Sequence, residues 1–210
     1  AELRMLEREV FDFSEMMKPF LSGGKKDPLV TDLVLTEKNG FTLSGTLNHL
    51  YAEGQLFFRC AKLKPKDLLN GWIHHLVLNA CADDEGKNLT RVLGTDKQIE
   101  FSGLSRALAE SALADLVAFF REGLRFPLSF FPETSFSYAE HCLVKEKTDM
   151  EAVAAAEKKW VTGYYNTGEN ENAYTRACFG CDFPDTDTFR KNALSIYGPL
   201  FKNMQEIDIG

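Results

Sequence analysis

The chain has 210 residues, 44% of them hydrophobic and 26% charged, a soluble globular balance with enough length for one well-buried domain or two small ones. Its 24 basic residues against 31 acidic ones leave a net charge of −7. That balance argues against a free-standing module gripping nucleic acid through a wide basic surface, although a local basic patch stays compatible with it. Apolar runs such as Trp72 to Ala80 are too short to span a membrane, and the opening Ala1-Glu2-Leu3-Arg4 carries neither an initiator Met nor a signal peptide. The chain therefore reads as a processed or excised piece of a cytoplasmic protein. Five cysteines, an odd number, do not suit a fully paired disulfide framework, and 17 Phe against 2 Trp and 6 Tyr is an unusual aromatic balance.

Leu3, Leu6, Val10, Phe13, Met17 and Phe20 recur at spacings of three and four, so residues 1–21 form a helix or two short ones with Pro19 disturbing the end. Ser22-Gly23-Gly24-Lys25-Lys26-Asp27-Pro28 is a loop; Asp27 and Pro28 after Lys26 break the pattern of a phosphate-binding loop. From residue 41 to 62 the period becomes two, and strands 41–47 and 55–61 are expected to pair through a turn at Ala52-Glu53-Gly54. Residues 67–82 are the clearest helix, with Leu69, Trp72, Ile73, Leu76 and Ala80 on one face. Residues 89–93 and 97–101 read as a hairpin around Gly94-Thr95-Asp96, and a second long helix covers 104–122 with Gly123 as its left-handed C-cap. An aromatic, Pro-containing stretch runs from Leu124 to Pro132. Short helices follow at 135–142 and 149–161, then a polar loop at 163–173. Residues 174–179 are a strand or a helix end, and a helix at 188–204 is interrupted at Gly198-Pro199. The fold class is α/β (α+β), with a small central sheet flanked by helices. The chain is read as a single domain over 1–210, with a helical and linker N-terminal part over residues 1–40, a core over 41–122 and a C-terminal helical extension over 123–210.

Chemistry is sparse in this pattern. A metal-dependent nuclease needs carboxylates converging on a divalent cation, yet 41–47 and 55–61 contain no acidic residue, and Glu53 sits in the turn between them. Asp83, Asp84 and Glu85 follow a helix C-terminus and read as a solvated helix end. Cys178-Phe179-Gly180-Cys181 is a single pair where structural zinc usually shows two, so semi-buried free thiols are the expectation, and no metal or other cofactor is assigned. His74 and His75 are adjacent on one helix and cannot share a metal from one face; His74, between Ile73 and Leu76, is the expected core histidine. Ser44 and Ser129 lack any nucleophile signature. Arg59, Lys62, Lys64 and Lys66 alternate along a strand exit and connector and are the candidate DNA-binding row, with Lys25 and Lys26 as candidate neighbours.

Ala61-Lys62-Leu63-Lys64-Pro65-Lys66-Asp67 followed by Asn70 to Ala80, the stretch Gly123 to Ser135, and a final segment with Glu169, Asn170, Ala173-Tyr174 and Phe189 to Phe201 resemble, in that order, the C-terminal domain of the exodeoxyribonuclease V gamma chain (RecC) family. The resemblance implies a restriction-endonuclease-like (PD-(D/E)xK nuclease-like) fold in which the catalytic positions fall on Asn48, Arg59 and Ala61. An amide, a guanidinium and a methyl then stand where two carboxylates and an amine are needed, which makes the domain a pseudonuclease and not an enzyme. It further implies a bacterial, cytoplasmic helicase–nuclease of DNA repair and recombination, with the beta chain (helicase and nuclease) and the alpha chain (helicase) as partners and double-stranded DNA ends and separated single strands as substrate. Phe126, Phe130 and Phe131 are candidate partner-interface residues, ranked as core first, interface second and strand-splitting surface third. An active metal-dependent nuclease and a protein-interaction domain without DNA contact are the alternatives.

Overall fold

The computed structural model describes residues 2–35, 40–52, 54–81, 88–164 and 167–207. Glu53 and the acidic run Asp83-Asp84-Glu85 lie outside them. The chain is a mixed α/β structure that divides into two compact units, one of Ala1–Leu63, Asn70–Asp115 and Met204–Gly210, the other of Lys64–Leu69 and Leu116–Asn203. The chain passes from one to the other at 63/64, 69/70, 115/116 and 203/204, the middle two falling inside long helices. No helix among the described residues is long and apolar enough to cross a membrane.

The first unit opens with helix α1 (Glu2–Leu21), followed by strands β1 (Leu29–Leu35), β2 (Phe41–Leu47), β3 (Leu50–Tyr51) and β4 (Gly54–Phe58). Helix α2 (Pro65–Cys81) leads to β5 (Leu89–Leu93) and β6 (Gln98–Phe101), and helix α3 (Arg106–Gly123) follows. Strand β7 (Met204–Ile207) returns to this unit from the far end of the chain. One sheet is the pair β1-β2; the other has the order β3-β4-β5-β6-β7. Only β4 and β5 run parallel, as their connection through α2 requires, and the other neighbours are antiparallel.

The pairing expected between 41–47 and 55–61 does not form. β2 pairs along its whole length with β1, from Leu29 opposite Leu47 to Leu35 opposite Phe41. The two strands match because Leu29, Leu33 and Leu35 alternate with exposed Val30, Asp32 and Val34, while Phe41, Leu43 and Leu47 supply the facing inward positions. His49, at φ 58, breaks the extended run between β2 and β3, so the chain leaves one sheet before entering the other. The five-residue β4 then pairs with only two residues of β3.

Helix α2 lays Gly71, Trp72, His75, Leu76, Asn79 and Ala80 inward, all buried, at the spacing of one helical face. Ile73, expected on that face, is outward and 39% exposed. Gly71 allows the close approach: a Cβ there would lie 2.6 Å from Val92 Cγ2 on β5. The lower half of α1 packs Phe13, with Met16, Met17 and Phe20 around it, on Leu56 and Leu93. The hairpin of β5 and β6 matches its expected position, its turn closed by the Gly94 N–H donating to Lys97 O at 2.9 Å.

The second unit is helical. It holds the end of α3, then α4 (Pro132–Leu143), α5 (Asp149–Trp160), a single 3-10 turn (Glu169–Glu171), α6 (Ala173–Phe179) and α7 (Asp187–Asn203). Its core gathers Phe131, Tyr138, Ala152, Ala156, Trp160, Phe189 and Ala193, with the Phe131 and Trp160 rings edge to face at 4.7 Å. Gly123 is not a left-handed cap. It lies within α3, and a Cβ on it would come 2.9 Å from Leu128 Cδ1, so packing explains the glycine. Nor does Pro199 end α7, because Ile196, Tyr197 and Leu200 on its buried face and the Tyr197 hydroxyl, which donates to Pro132 O at 3.0 Å, hold the helix across it.

Helix α5 starts from a reciprocal cap. The Glu151 N–H donates to Thr148 Oγ1 at 3.4 Å, and the Thr148 N–H donates to Glu151 Oε2 at 3.0 Å. The Thr148 N–H, joined by the Thr148 hydroxyl donating to the same carboxylate oxygen at 2.8 Å, holds the Glu151 carboxyl below its ordinary value. Replacing Thr148 by Ala is expected to cost about 1 kcal/mol, read as a lower denaturant midpoint with an unchanged slope.

Candidate functional site

Within the first unit, Asn48, Arg59 and Ala61 lie along β4 and the connector that follows it. The β3-β4 ladder continues beyond β3, because the Leu56 N–H donates to His49 O at 3.0 Å. The Gln55 side chain, 2% exposed, donates from Nε2 to Asn48 O at 2.9 Å. Asn48 therefore runs beside the middle of β4 with an exposed side chain, and Arg59 follows directly after the end of that strand. One candidate position thus stands on each of two neighbouring stretches of the same sheet.

The connector from Arg59 to Leu63 is pinned rather than loose. The Arg59 N–H donates to Leu93 O at 2.9 Å, the Thr95 N–H to Ala61 O at 3.1 Å, and the Leu63 N–H to Asp96 Oδ1 at 2.9 Å. Gly94 makes room for it, since a Cβ there would lie 2.6 Å from Leu63 Cγ and 3.0 Å from Ala61 O. Asp96, which fixes the connector to the β5-β6 turn, does not stand out in the sequence as a site residue. A carboxylate in a hairpin turn has too many ordinary uses to be singled out.

Arg59 and Lys62 belong to the first unit, Lys64 and Lys66 to the second. Lys62, Lys64 and Lys66 are exposed and Arg59 is half-buried. The alternation of the four along one extended segment ends at Pro65, where α2 begins; Lys66 sits in its first turn and the Lys64 N–H donates to Asp67 Oδ2 at 2.9 Å. Lys25 and Lys26 lie against β3, Lys25 bridging to Tyr51 and the Lys26 N–H donating to Leu50 O at 2.8 Å.

The core histidine is His75, not His74 as expected. It is fully buried: its Nε2 donates to Ser102 O at 3.0 Å, which leaves Nδ1 to accept from the Thr90 hydroxyl at 3.0 Å. Burial, only partly offset by the Ser102 carbonyl, pushes it down to about 4. His74 is half-buried beside Phe57 at 5.0 Å, its Nδ1 has no hydrogen-bond partner, and burial together with nearby His49 lowers its pKa.

Of the three Phe residues proposed for a partner, Phe131 is 4% exposed in the helical core and cannot reach one, because its ring packs on Trp160, Phe179 and Phe189. Phe130 is half-buried between Phe119 and Tyr197. Phe126 is 59% exposed with the Arg125 guanidinium over its ring at 5.5 Å. Cys178 and Cys181, expected to be semi-buried, are both exposed. Among the described residues no three His, Cys, Asp or Glu side chains are grouped to hold a metal ion.

No curated protein matches the chain. Residues 1–143, more than half of its length, match the family model of the RecC C-terminal domain, and the chain belongs to that family.

Proposed function

We propose that this is a non-catalytic domain of a RecBCD-type helicase–nuclease, a scaffold for the beta and alpha chains that also guides DNA. Family membership supports the place in such a complex and the role in DNA repair. The observation that carries the non-catalytic reading is the residue types beside β4 and on the connector that follows it. Asn48 offers a neutral amide, Arg59 a permanent cation, and Ala61 nothing to a hard divalent ion that takes its ligands from carboxylate oxygens. The β4-α2-β5 crossover, with a neighbouring strand antiparallel to β4, is compatible with a nuclease-like sheet whose chemistry has been replaced.

Two assays separate this reading from its alternatives. The 210-residue chain incubated with linear duplex DNA and Mg²⁺ or Mn²⁺ is expected to leave the DNA intact. Cleavage that a chelator abolishes, and that an Asn48→Ala change removes, would make it a nuclease. In the assembled complex, Lys62→Gln and Lys64→Gln are each expected to weaken binding to a duplex end a few-fold and to lower the slope of log affinity against log salt by about 1. Unchanged affinity and slope for both, with the complex intact, would leave a protein-interaction domain without DNA contact.

A further inference from the structure

Leu3, Leu6, Val10, Phe13, Met17 and Phe20 run through α1 at alternating spacings of three and four, the a and d positions of a heptad. The two halves of this row have different surroundings. Phe13 is buried on Leu56 and Leu93, with Met16, Met17 and Phe20 around it, so that end is committed to the domain's own sheet. Leu3, Leu6 and Val10 continue the same row past that contact, and each is more than half exposed. A contiguous apolar seam on one helix face differs from the ordinary scatter of single exposed apolar side chains and marks a surface that another element covers.

The charges beside the seam select what covers it. Glu7 and Glu9 hold the e and g positions, one on either side of Leu6 and Val10, and both are exposed. Arg4 and Arg8 fall on the far face, where Arg8 lies 3.8 Å from Asp12. The e and g positions of α1 hold no Lys or Arg, so a second copy meeting this seam in either direction brings no cation to the two glutamates, and an antiparallel copy sets each against itself. Acidic flanks repel an anionic membrane surface in the same way. We infer that the free half of α1 docks a helix of another protein chain, one with an apolar a/d seam and Lys or Arg at its e and g positions. Leu3, Leu6 and Val10 supply the buried contact, while Glu7 and Glu9 set register and choice of partner through the flanking cations. No residue beside β4 takes part, so the surface is the same whether or not the domain cleaves DNA.

The probe is a fluorescently labelled synthetic peptide of about three heptads with Leu at a and d and Lys at e and g; a twin peptide carries Glu at e and g. Titrated with the whole 210-residue chain, the Lys peptide is expected to bind saturably and to gain helicity, and the Glu peptide to stay free up to about 0.5 mM chain. Leu6→Ser and Val10→Ser are each expected to raise the Kd for the Lys peptide about tenfold. Their urea midpoints should not change, because both side chains are exposed. Exchanging both glutamates, Glu7→Lys with Glu9→Lys, should reverse the preference, so that the Glu peptide binds and the Lys peptide does not. The inference is overturned if the natural chain binds neither peptide or both alike, if Leu6→Ser and Val10→Ser leave the affinity unchanged, or if the preference survives the glutamate exchange. A dimer of the natural chain in sedimentation that Leu6→Ser dissolves would overturn it too, by making a second copy the occupant.

Discussion

Replacing Gly168 by Ala is expected to destabilise the helical unit by about 3 kcal/mol or more, lowering its melting temperature by roughly 6–12 °C. The backbone there is ordinary, with φ −67 and ψ 153, a conformation any residue adopts. What forbids a side chain is contact. An added Cβ would lie 2.3 Å from Trp160 O, 2.4 Å from the Val161 carbonyl carbon and 2.5 Å from Thr162 N. All three are backbone atoms at the end of α5, so no rotamer change relieves the clash and one of the two segments must move. That movement breaks more than packing. Gly168 N–H donates to Thr162 Oγ1 at 3.0 Å, and the next residue, Glu169, accepts from the Glu133 and Thr134 N–H groups at 3.1 and 2.7 Å, satisfying two open donors at the start of α4. Gly24→Ala is the control. That residue has φ 76 and open space around it, so only the left-handed penalty of about 1 kcal/mol applies. A Gly168→Ala protein no less stable in urea than the Gly24→Ala protein would sink the argument.

The elements legible in the sequence are those whose local pattern and tertiary role agree. The β5-β6 hairpin combines alternation with a Gly-Thr-Asp turn, and α2 and α3 carry long helical rows, so each stands where its pattern puts it. Legibility fails where tertiary contacts override local signals. In α2 the inward row includes His75 and Asn79, polar residues that an apolar count rejects, although they pair with Thr90, Ser102 and Leu104 around the sheet. Gly123 reads as a cap because glycine is common there, and its reason is instead Leu128. Strand β7 continues an apolar helical pattern without a break in composition; only pairing with β6, Phe101 opposite Met204, makes it a strand. β1 lies between a polar loop and the β2 strand, and its own alternation is masked by theirs.

The candidate site divides in the same way. The basic residues and the missing carboxylates are visible as composition. The adjacency of Asn48 and Arg59 depends on the β3-β4 ladder and on the turn at His49, neither of which a single sequence specifies. Residues that fix the connector, Gly94 and Asp96, are recognisable only from what they touch. On the proposed non-catalytic reading, with amide, guanidinium and methyl at Asn48, Arg59 and Ala61, function falls to surfaces. Basic groups at Lys62 and Lys64 and the exposed ring of Phe126 are on that reading more informative targets for substitution than Asn48, Arg59 and Ala61.

The first unit is expected to lose about 3 kcal/mol of stability between pH 7 and pH 4 through His75 alone. Its imidazole is pushed down to about 4 from an ordinary value of 6.5, because α2 and the sheet remove it from water and its two nitrogens are already committed. A buried imidazolium would need a second acceptor where the Thr90 hydroxyl now donates. The folded value lies below the unfolded one, so the unfolded chain binds the extra proton first. The contribution is complete above pH 6.5, declines as pH falls toward 4, and levels off below that, with about 3 kcal/mol of it gone by pH 4, where the folded imidazole is itself half protonated. Carboxylates titrate over the lower end of the same window, so the measurement is a comparison. Urea midpoints from pH 7 to pH 4 are taken for the natural chain and for His75→Leu. The variant starts less stable at pH 7 by about 2 kcal/mol, since Ser102 O and the Thr90 hydroxyl lose their partner. Its curve should then fall less steeply, and the gap between the two should close or reverse by pH 4. Parallel curves over the whole range would show that His75 is protonated in the fold at little cost, and the network of Thr90, His75, Asn79 and Leu104 would need another source for its rigidity.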